Sequence, residues 1–589
     1  MKAVPRVLPV CAFILALASC AFSRNPDPAP EGGSRTSNWV NGYYVCYHAD
    51  RLPPDEIYWE GMTHISVGAI LVIDDSESDA IPPVIDKTFY QGGEAQGVAL
   101  ASSVSSLAIR NGVTPILMLG GENGGATIRN ATSPGSLDGF ADSLIAATRD
   151  LGFKGIDLDW EDDIDWTRFR ALAAALRAKA PDLVLTMPVG NLNPNIADND
   201  VAEVVALAPS MDQINVMSYF GCGTVWYGTG WYSGFGSALR EDSGPNSNPV
   251  SIEYTLAAYA AAGIDKKKLG MGMGFYGFSY ADGITGPRQT GNNGSSGVVQ
   301  DVFRGGDNSY SLSKLFTGEA YLYAQANGCV KWDEAAECSY LSLPADHPDA
   351  FGCRYVSFED ERSILAKGRF CRENGYGGTI IWTIDQGYAG DHADPHFLMK
   401  AVRKAFIEPD FPLTPSITVY PEFKYAKPER TAQFRALVTG ADSLAVSWTA
   451  GGGTIDDSGL FTAGTAQGSF EIQARSNGLS SSASVTVSSA AWAPTLTLYY
   501  RDFFWKELRT SDSSVSVVKM MYGGTTYFWN RQQYNDRIFT NMDEVPEGGS
   551  ITFVAETDDG RSAVCPAFLY HCNHDDPDWE ELDVLLTDE

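Results

Sequence analysis

Positive charge is in short supply in this chain. Its 589 residues carry 42 lysines and arginines against 73 aspartates and glutamates, a formal net charge of −31. Such a surface repels nucleic acid and anionic membranes, so no nucleic-acid partner is expected and a neutral or cationic one fits better. Long apolar runs are missing too. Val7 to Leu17 is apolar but interrupted by Pro9, and it falls short of the roughly 20 residues that a membrane span needs. With Lys2 and Arg6 ahead of it, the segment Met1 to Ser19 reads as a signal peptide. Cysteine is sparse, with ten residues, two of them in this leader region. Among the other eight, Cys46, Cys222, Cys353 and Cys371 have no near neighbour, whereas Cys329 with Cys338 and Cys565 with Cys572 are spaced for local disulfides, which export permits. Metal-ligand spacing is lacking as well. Cys565, His571, Cys572 and His574 match no strong zinc pattern, and a disulfide is the expectation there. Neither a metal nor a cofactor is expected.

What the chain does have is a concentrated row of acids in Lys154-Gly155-Ile156-Asp157-Leu158-Asp159-Trp160-Glu161. In an extended strand Ile156, Leu158 and Trp160 fall on one face, and Asp157, Asp159 and Glu161 on the other, about 7 Å apart. Spacing alone also allows a solvated strand face. The neighbourhood argues for an inward-facing one. A helix pattern precedes it (Leu137, Phe140, Ala141, Leu144, Ile145, Thr148, Leu151), ending near Gly152, and another follows from about Asp165 to Ala180, stopped by Pro181. A strand between two helices belongs to a parallel sheet covered on both faces. Crowded carboxylates there cannot all ionise, and one that keeps its proton near neutral pH is a general acid.

Strand-like runs recur at Gly42–Tyr47, His64–Leu71, Pro115–Leu119, Gly155–Trp160, Leu183–Val189, Gln213–Ser218, Leu269–Gly274 and Thr379–Thr383, alternating with helices. This pattern predicts an α/β fold, a (β/α)8 barrel, with Glu161 at the C-terminal end of the fourth strand, where such barrels place catalysis. The long gap before the last strand predicts an α+β insertion between strands seven and eight over about 278–377, forming a wall of the cleft.

The acid row resembles the DxxDxDxE signature of family-18 glycoside hydrolases, the chitinase family, with Lys154 at the first position in place of the usual Asp. Met118-Leu119-Gly120-Gly121 resembles the family's SxGG on strand three, with Met for Ser. Gln213-Ile214-Asn215-Val216-Met217-Ser218-Tyr219 resembles its strand six, followed by Phe220 where Asp or Asn is usual. Gly274-Phe275-Tyr276-Gly277 resembles the end of strand seven, and Trp382 the tryptophan under the scissile sugar. Trp332-Asp333 and Tyr355 to Asp360 resemble the family's α+β insertion.

The resemblance implies retaining hydrolysis of β-1,4-linked N-acetylglucosamine polymers or oligomers, with chitin or a related glycan as partner. The sugar's own acetamide would act as nucleophile. Glu161 would be the acid/base, Asp159 would orient the acetamide, Asp157 would share a proton with Asp159, and Tyr219 would hold the acetamide oxygen. Trp382 and Met217 would bind substrate, with Tyr47, Tyr276, Trp226, Tyr227 and Trp231 as candidate subsite aromatics or as packing. An endo-β-N-acetylglucosaminidase acting on N-glycans would use the same machinery, and a non-catalytic glycan-binding protein would share the barrel.

Leu17-Ala18-Ser19-Cys20 resembles the bacterial lipoprotein box, implying lipidation at Cys20 and a protein exported and anchored to a bacterial membrane (outer membrane or cell surface), or secreted. The expected organisation is a signal peptide over 1–20, a tether over 21–38, a barrel over 39–408 and two small all-β domains. The first, over 412–488, resembles bacterial immunoglobulin-like repeats through Ser447 to Asp456 and Gly459 to Ala463, and reads as a spacer or a weak glycan binder. The second, 495–589, is β-like and rich in aromatics, which either pack its core or form a carbohydrate-binding face.

Overall fold

The computed structural model describes residues 36–73, 84–193, 200–219, 232–240, 250–280, 283–289, 300–301, 311–345, 353–492, 494–500, 506–510, 514–522, 525–530, 538–540, 550–569, 581–585 and 587–588. Eight parallel strands close on themselves: Trp39–Val45, His64–Ile73, Thr114–Gly120, Gly155–Asp159, Val184–Gly190, Gln213–Met217, Leu269–Gly274 and Gly378–Trp382. The first strand pairs with both the second and the eighth, which completes the barrel. All eight lie where the alternation of apolar runs predicts them. Each strand is buried on both faces because helices cover the outside. The helix over Leu137–Asp150 sets Phe140, Ala141, Leu144 and Ile145 inward and ends just before Gly152, whose φ of 82° suits glycine. The next, Trp166–Lys179, starts at Asp165, whose side chain accepts from the Arg168 amide at 3.1 Å.

The seventh strand, Leu-Gly-Met-Gly-Met-Gly, shows how sequence shapes the interior. Its methionines, Met271 and Met273, join the main hydrophobic core. Its glycines leave room for aromatic rings on the other face. A Cβ at Gly270 would lie 2.5 Å from the Trp39 ring, one at Gly272 would lie 2.8 Å from the Tyr219 ring, and one at Gly274 would lie 2.6 Å from the Tyr276 ring. Alternation with period two thus places three rings along the barrel's inner wall.

Between strands seven and eight a five-stranded antiparallel sheet forms in the order 300–301, Phe278–Tyr280, Tyr355–Phe358, Cys338–Ser342 and Val330–Asp333. Its register corrects one expectation. Cys329 and Cys338 do not bond to each other: Cys338 sits across from Asp333, while the Ser342 amide donates to the Cys329 carbonyl at 3.0 Å. The hairpin therefore holds the two cysteines at opposite ends of its ladder, beyond disulfide reach. The other suggested local pair involves Cys572, which lies outside the described residues, as do His571 and His574.

Beyond the barrel, residues 416–487 form short sheets around Val419, Phe434, Phe461, Ile472 and Val485. They dock on the barrel side through defined polar contacts. Arg435 donates to Glu319 at 2.9 and 3.0 Å, Gln325 exchanges two hydrogen bonds with the Val438 backbone, and the Gly440 amide donates to the Glu361 carboxylate at 3.0 Å. The described strands after Thr495 form two further antiparallel sheets. Of the aromatics proposed there as core or binding face, Phe503, Phe504 and Trp505 lie outside the described residues, and Tyr499, Tyr500, Tyr522, Tyr527 and Trp529 are described in their backbone alone.

Candidate active site

The fourth strand delivers the acid row to the barrel's C-terminal end. Ile156, Leu158 and Trp160 are buried toward the helices. Asp157 and Asp159 are buried on the opposite, inner face, and Glu161 emerges at the mouth, open to solvent. The inward reading of the row, not the solvated one, describes Asp157 and Asp159.

Each acid has a different environment. Asp157 accepts from the Tyr43 hydroxyl at 2.7 Å and from the Thr186 hydroxyl. Burial nevertheless outweighs these two donors and pushes its pKa from 3.8 up to about 6. Asp159 lies between the other two. Burial first, then the charges of Glu161 and Asp157, push its pKa well up, and it is hydrogen-bonded to Glu161. Its Oδ1 is buried and accepts no hydrogen bond among the described residues. Glu161 is raised from 4.5 to about 6, chiefly by the protein that crowds its carboxyl despite the open mouth, and further by Glu122, Asp162 and Asp157. A hydrogen bond between two carboxyls requires a shared proton, so Asp159 and Glu161 hold one between them above the ordinary carboxylate range.

The third strand makes this proximity possible. Gly120 and Gly121 have φ values of 99° and 104°, and the Gly121 amide donates to the Asp159 carbonyl at 2.8 Å. A Cβ on Gly120 would stand 2.4 Å from that same carbonyl oxygen. Only glycine fits there. Met118, in the position where Ser is usual, faces inward, and a Cβ on Gly68 would stand 2.4 Å from its sulfur.

The other expected residues divide into three groups. Tyr219 is buried at the end of strand six, and the charges of Glu161, Asp159 and Asp157 add to burial in raising its hydroxyl pKa. Its position in the field of all three acids joins it to the site. Half-buried Trp382 ends strand eight with its ring centroid 5.4 Å from that of Tyr43, and Met217 is half-buried at the end of strand six beside them. Tyr276 is buried behind Tyr219, its hydroxyl 3.4 Å from the Tyr219 carbonyl oxygen, which leaves its ring little surface to offer a sugar. Tyr47 is 38% exposed and edge-on to Tyr90 at 5.5 Å. Trp226, Tyr227, Trp231 and Phe220 lie outside the described residues. Lys154 is solvent-exposed below the strand, and none of the three acids takes a shift from it.

Two contributors escaped the sequence reading. Tyr43 and Thr186 come from the first and fifth strands and meet only through barrel closure. Their inward parity within those strands was the available signal.

The model of glycosyl hydrolases family 18 matches residues 40–387. The chain belongs to that family. It is 28% identical over 272 residues to a probable endochitinase of Caenorhabditis elegans, an alignment covering 43% of this chain and 40% of the other. It is 27% identical to a class V chitinase of Arabidopsis thaliana, covering 43% of this chain and 64% of that one. The chain thus spans between two fifths and two thirds of the length of these curated relatives. A crystal structure of a class V chitinase from Nicotiana tobaccum is similar at 20% identity, covering 63% of this chain and 99% of that one, with a TM-score of 0.49.

Proposed function

We propose that this family-18 member hydrolyses β-1,4-linked N-acetylglucosamine polymers or oligomers with retention of configuration, using the substrate's acetamide as nucleophile. The supporting observation is the environment of Asp159, buried beside Glu161 with one carboxyl oxygen that accepts nothing among the described residues. A substrate amide N–H fits that acceptor. The proton shared by Asp159 and Glu161 then has a use at each stage. Glu161 gives it to the leaving glycosidic oxygen as the acetamide oxygen attacks C1, and the bond to the leaving oxygen breaks. Asp159 stabilises the positive charge that builds on the resulting oxazolinium ring. Glu161, now ionised, takes a proton from the water that reopens the ring, and a second proton occupies the pair again. Tyr219 holds the acetamide oxygen in line, and Trp382 stacks beneath the distorted sugar. Asp157, held by Tyr43 and Thr186, keeps Asp159 from ionising alone. The names of the relatives, an endochitinase and a class V chitinase, favour chitin over N-glycans.

The decisive experiment compares chito-oligosaccharides with their N-deacetylated counterparts and with high-mannose glycopeptides, following product anomers by NMR. Cleavage only of N-acetylated chito-oligomers, with the β-anomer formed first, supports the reading. Equal cleavage of oligomers lacking the N-acyl group, or α-anomer first, overturns it.

The same proposal extends to the chain's organisation. The segment 1–20 acts as a lipoprotein signal with lipidation at Cys20, 21–38 as a tether, 39–408 as the catalytic unit, 412–488 as an immunoglobulin-like spacer, and 495–589 as a separate β-domain. Membrane fractionation of Cys20→Ala tests the anchor: release of the protein from the membrane is expected, and unchanged retention removes it.

A further inference from the structure

A second cavity, of about 650 Å³, lies far along the chain from the acid row, where residues 425–431, 488–492 and 560–562 come together. That volume is in the range of small-molecule sites. Its lining opposes the character of the chain as a whole. Lys427, Arg430 and Arg561 line it, and no aspartate or glutamate does among the described residues, in a protein with 73 acids and 42 bases. Thr431, Ser488 and Ser562 add hydroxyls to the wall, and Tyr425 and Trp492 add aromatic rings.

One wall is built rather than incidental. The Arg561 guanidinium lies over two rings, 4.8 Å from the Tyr425 centroid and 4.9 Å from that of Trp492. Asp559 fixes it from behind with bonds of 2.7 and 3.0 Å, and the Ser514 hydroxyl accepts another at 2.8 Å. The Tyr425 amide donates to the Asp559 carbonyl, which joins the two β-regions at this point. Arg430 is exposed at the cavity's edge, and among the described residues it makes no ion pair.

The geometry points to this cavity as a binding site for an anionic saccharide, one carrying carboxylate or sulfate groups. Arg430 and Lys427 supply the attraction for the acidic groups, with Arg430 able to grip one through a forked pair of donors, while Arg561, its charge met by Asp559, builds the wall. The three hydroxyls match the ring hydroxyls of a sugar, and the aromatic edge excludes water from its carbon face. The charge of the ligand follows from the lining alone. That the ligand is a saccharide rests also on the glycan-active reading of the barrel. Such a site would hold the protein on an acidic glycan matrix while the neutral polymer occupies the catalytic cleft.

The test uses the full chain and isothermal titration with hexagalacturonate and a chondroitin sulfate hexasaccharide, with inorganic sulfate as the bare anion. Saturable binding of at least one oligosaccharide is expected, weakened at least tenfold in Arg430→Glu, while inorganic sulfate binds at least tenfold more weakly than that oligosaccharide. Arg430→Glu should leave thermal melting and chito-oligosaccharide turnover unchanged, which separates failure of this site from failure of the barrel's assignment. Lys427→Ala provides a second variant with a smaller loss. Absence of saturable binding by both oligosaccharides overturns the proposal. So does binding indifferent to both substitutions, or sulfate binding as tight as the sugars.

Discussion

The acid row of the barrel and Glu359 of the insertion hold carboxylates out of water in opposite ways. Glu359, at the end of an insertion strand, faces the Lys367 ammonium, itself fully buried, and accepts from Ser363 at 2.6 Å, while Lys367 donates to Ser237 at 3.0 Å. Every charge there has a counter-charge and a hydroxyl. Asp157, Asp159 and Glu161 have no cation among the described residues. Their like charges are instead reduced by retaining protons. The first arrangement tolerates no vacancy and needs no substrate. The second is incomplete without one, and proton exchange is what it offers. A neutralised ion pair is a structural fastening, whereas an unneutralised row at a strand end is chemistry.

The sharpest way to break this contrast is Glu161→Gln. It should lower kcat for chito-oligosaccharides by at least about 1000-fold, near the upper range for losing a general acid/base, with melting temperature little changed. A variant that keeps most of its rate would end the distinction. Lys367→Met probes the other group. It strands Glu359 in the interior and should cost about 3–5 kcal/mol of stability in denaturant titration. Substituting both partners, Glu359→Leu with Lys367→Met, should recover most of that loss. If the single substitution is harmless, the pair is not a fastening.

The pH dependences sharpen the comparison further. The raised pKa values mean that the folded chain keeps protons which the unfolded chain releases. Stability from the acid row is therefore greatest below the ordinary values of 3.8 and 4.5, and falls as pH rises toward about 6. Asp159→Asn should accordingly stabilise the protein at pH 7 by on the order of 1 kcal/mol, and not at pH 3, while cutting kcat by about 100-fold. Equal effects on melting at both pH values would contradict the assigned proton. For the wild type, kcat/KM should decline once pH rises past about 6, as Glu161 loses its hold on the proton it donates. Tyr43→Phe removes one donor from Asp157 and should have the smallest effect, about a three- to tenfold loss of kcat, together with a shift of that decline to lower pH, because a more readily protonated Asp157 raises its neighbours less.

Much of this was legible before any coordinates. The eight strands were, because buried parallel strands write themselves as short apolar runs between helices. So was the acid row, because a period of two is visible within a single strand. The contacts that tune the row were not. Tyr43 and Thr186 lie 114 and 29 residues from Asp157, and only barrel closure shows that they meet. The proposed Cys329–Cys338 bond failed for a related reason: nearness along the chain says nothing of hairpin register, and the turn after Asp333 fixes Cys338 opposite it. Tyr276 shows the limit of reading aromatics, since a ring at a strand end can back a functional side chain as readily as face a ligand.

The alternating glycines of the seventh strand have a bearing on how this enzyme family can diverge. Gly270 is frozen by the Trp39 ring of the first strand, Gly272 by the Val216 carbonyl and the Tyr219 ring, and Gly274 by the Tyr276 ring two residues on, so none can change alone. Met271 and Met273, on the opposite side, are free to exchange for other hydrophobic residues of similar volume. A saturation library over 269–274 should therefore return a comb, invariant at every second tooth and permissive between, and the invariant teeth would trace the bore of the barrel from its base to its mouth.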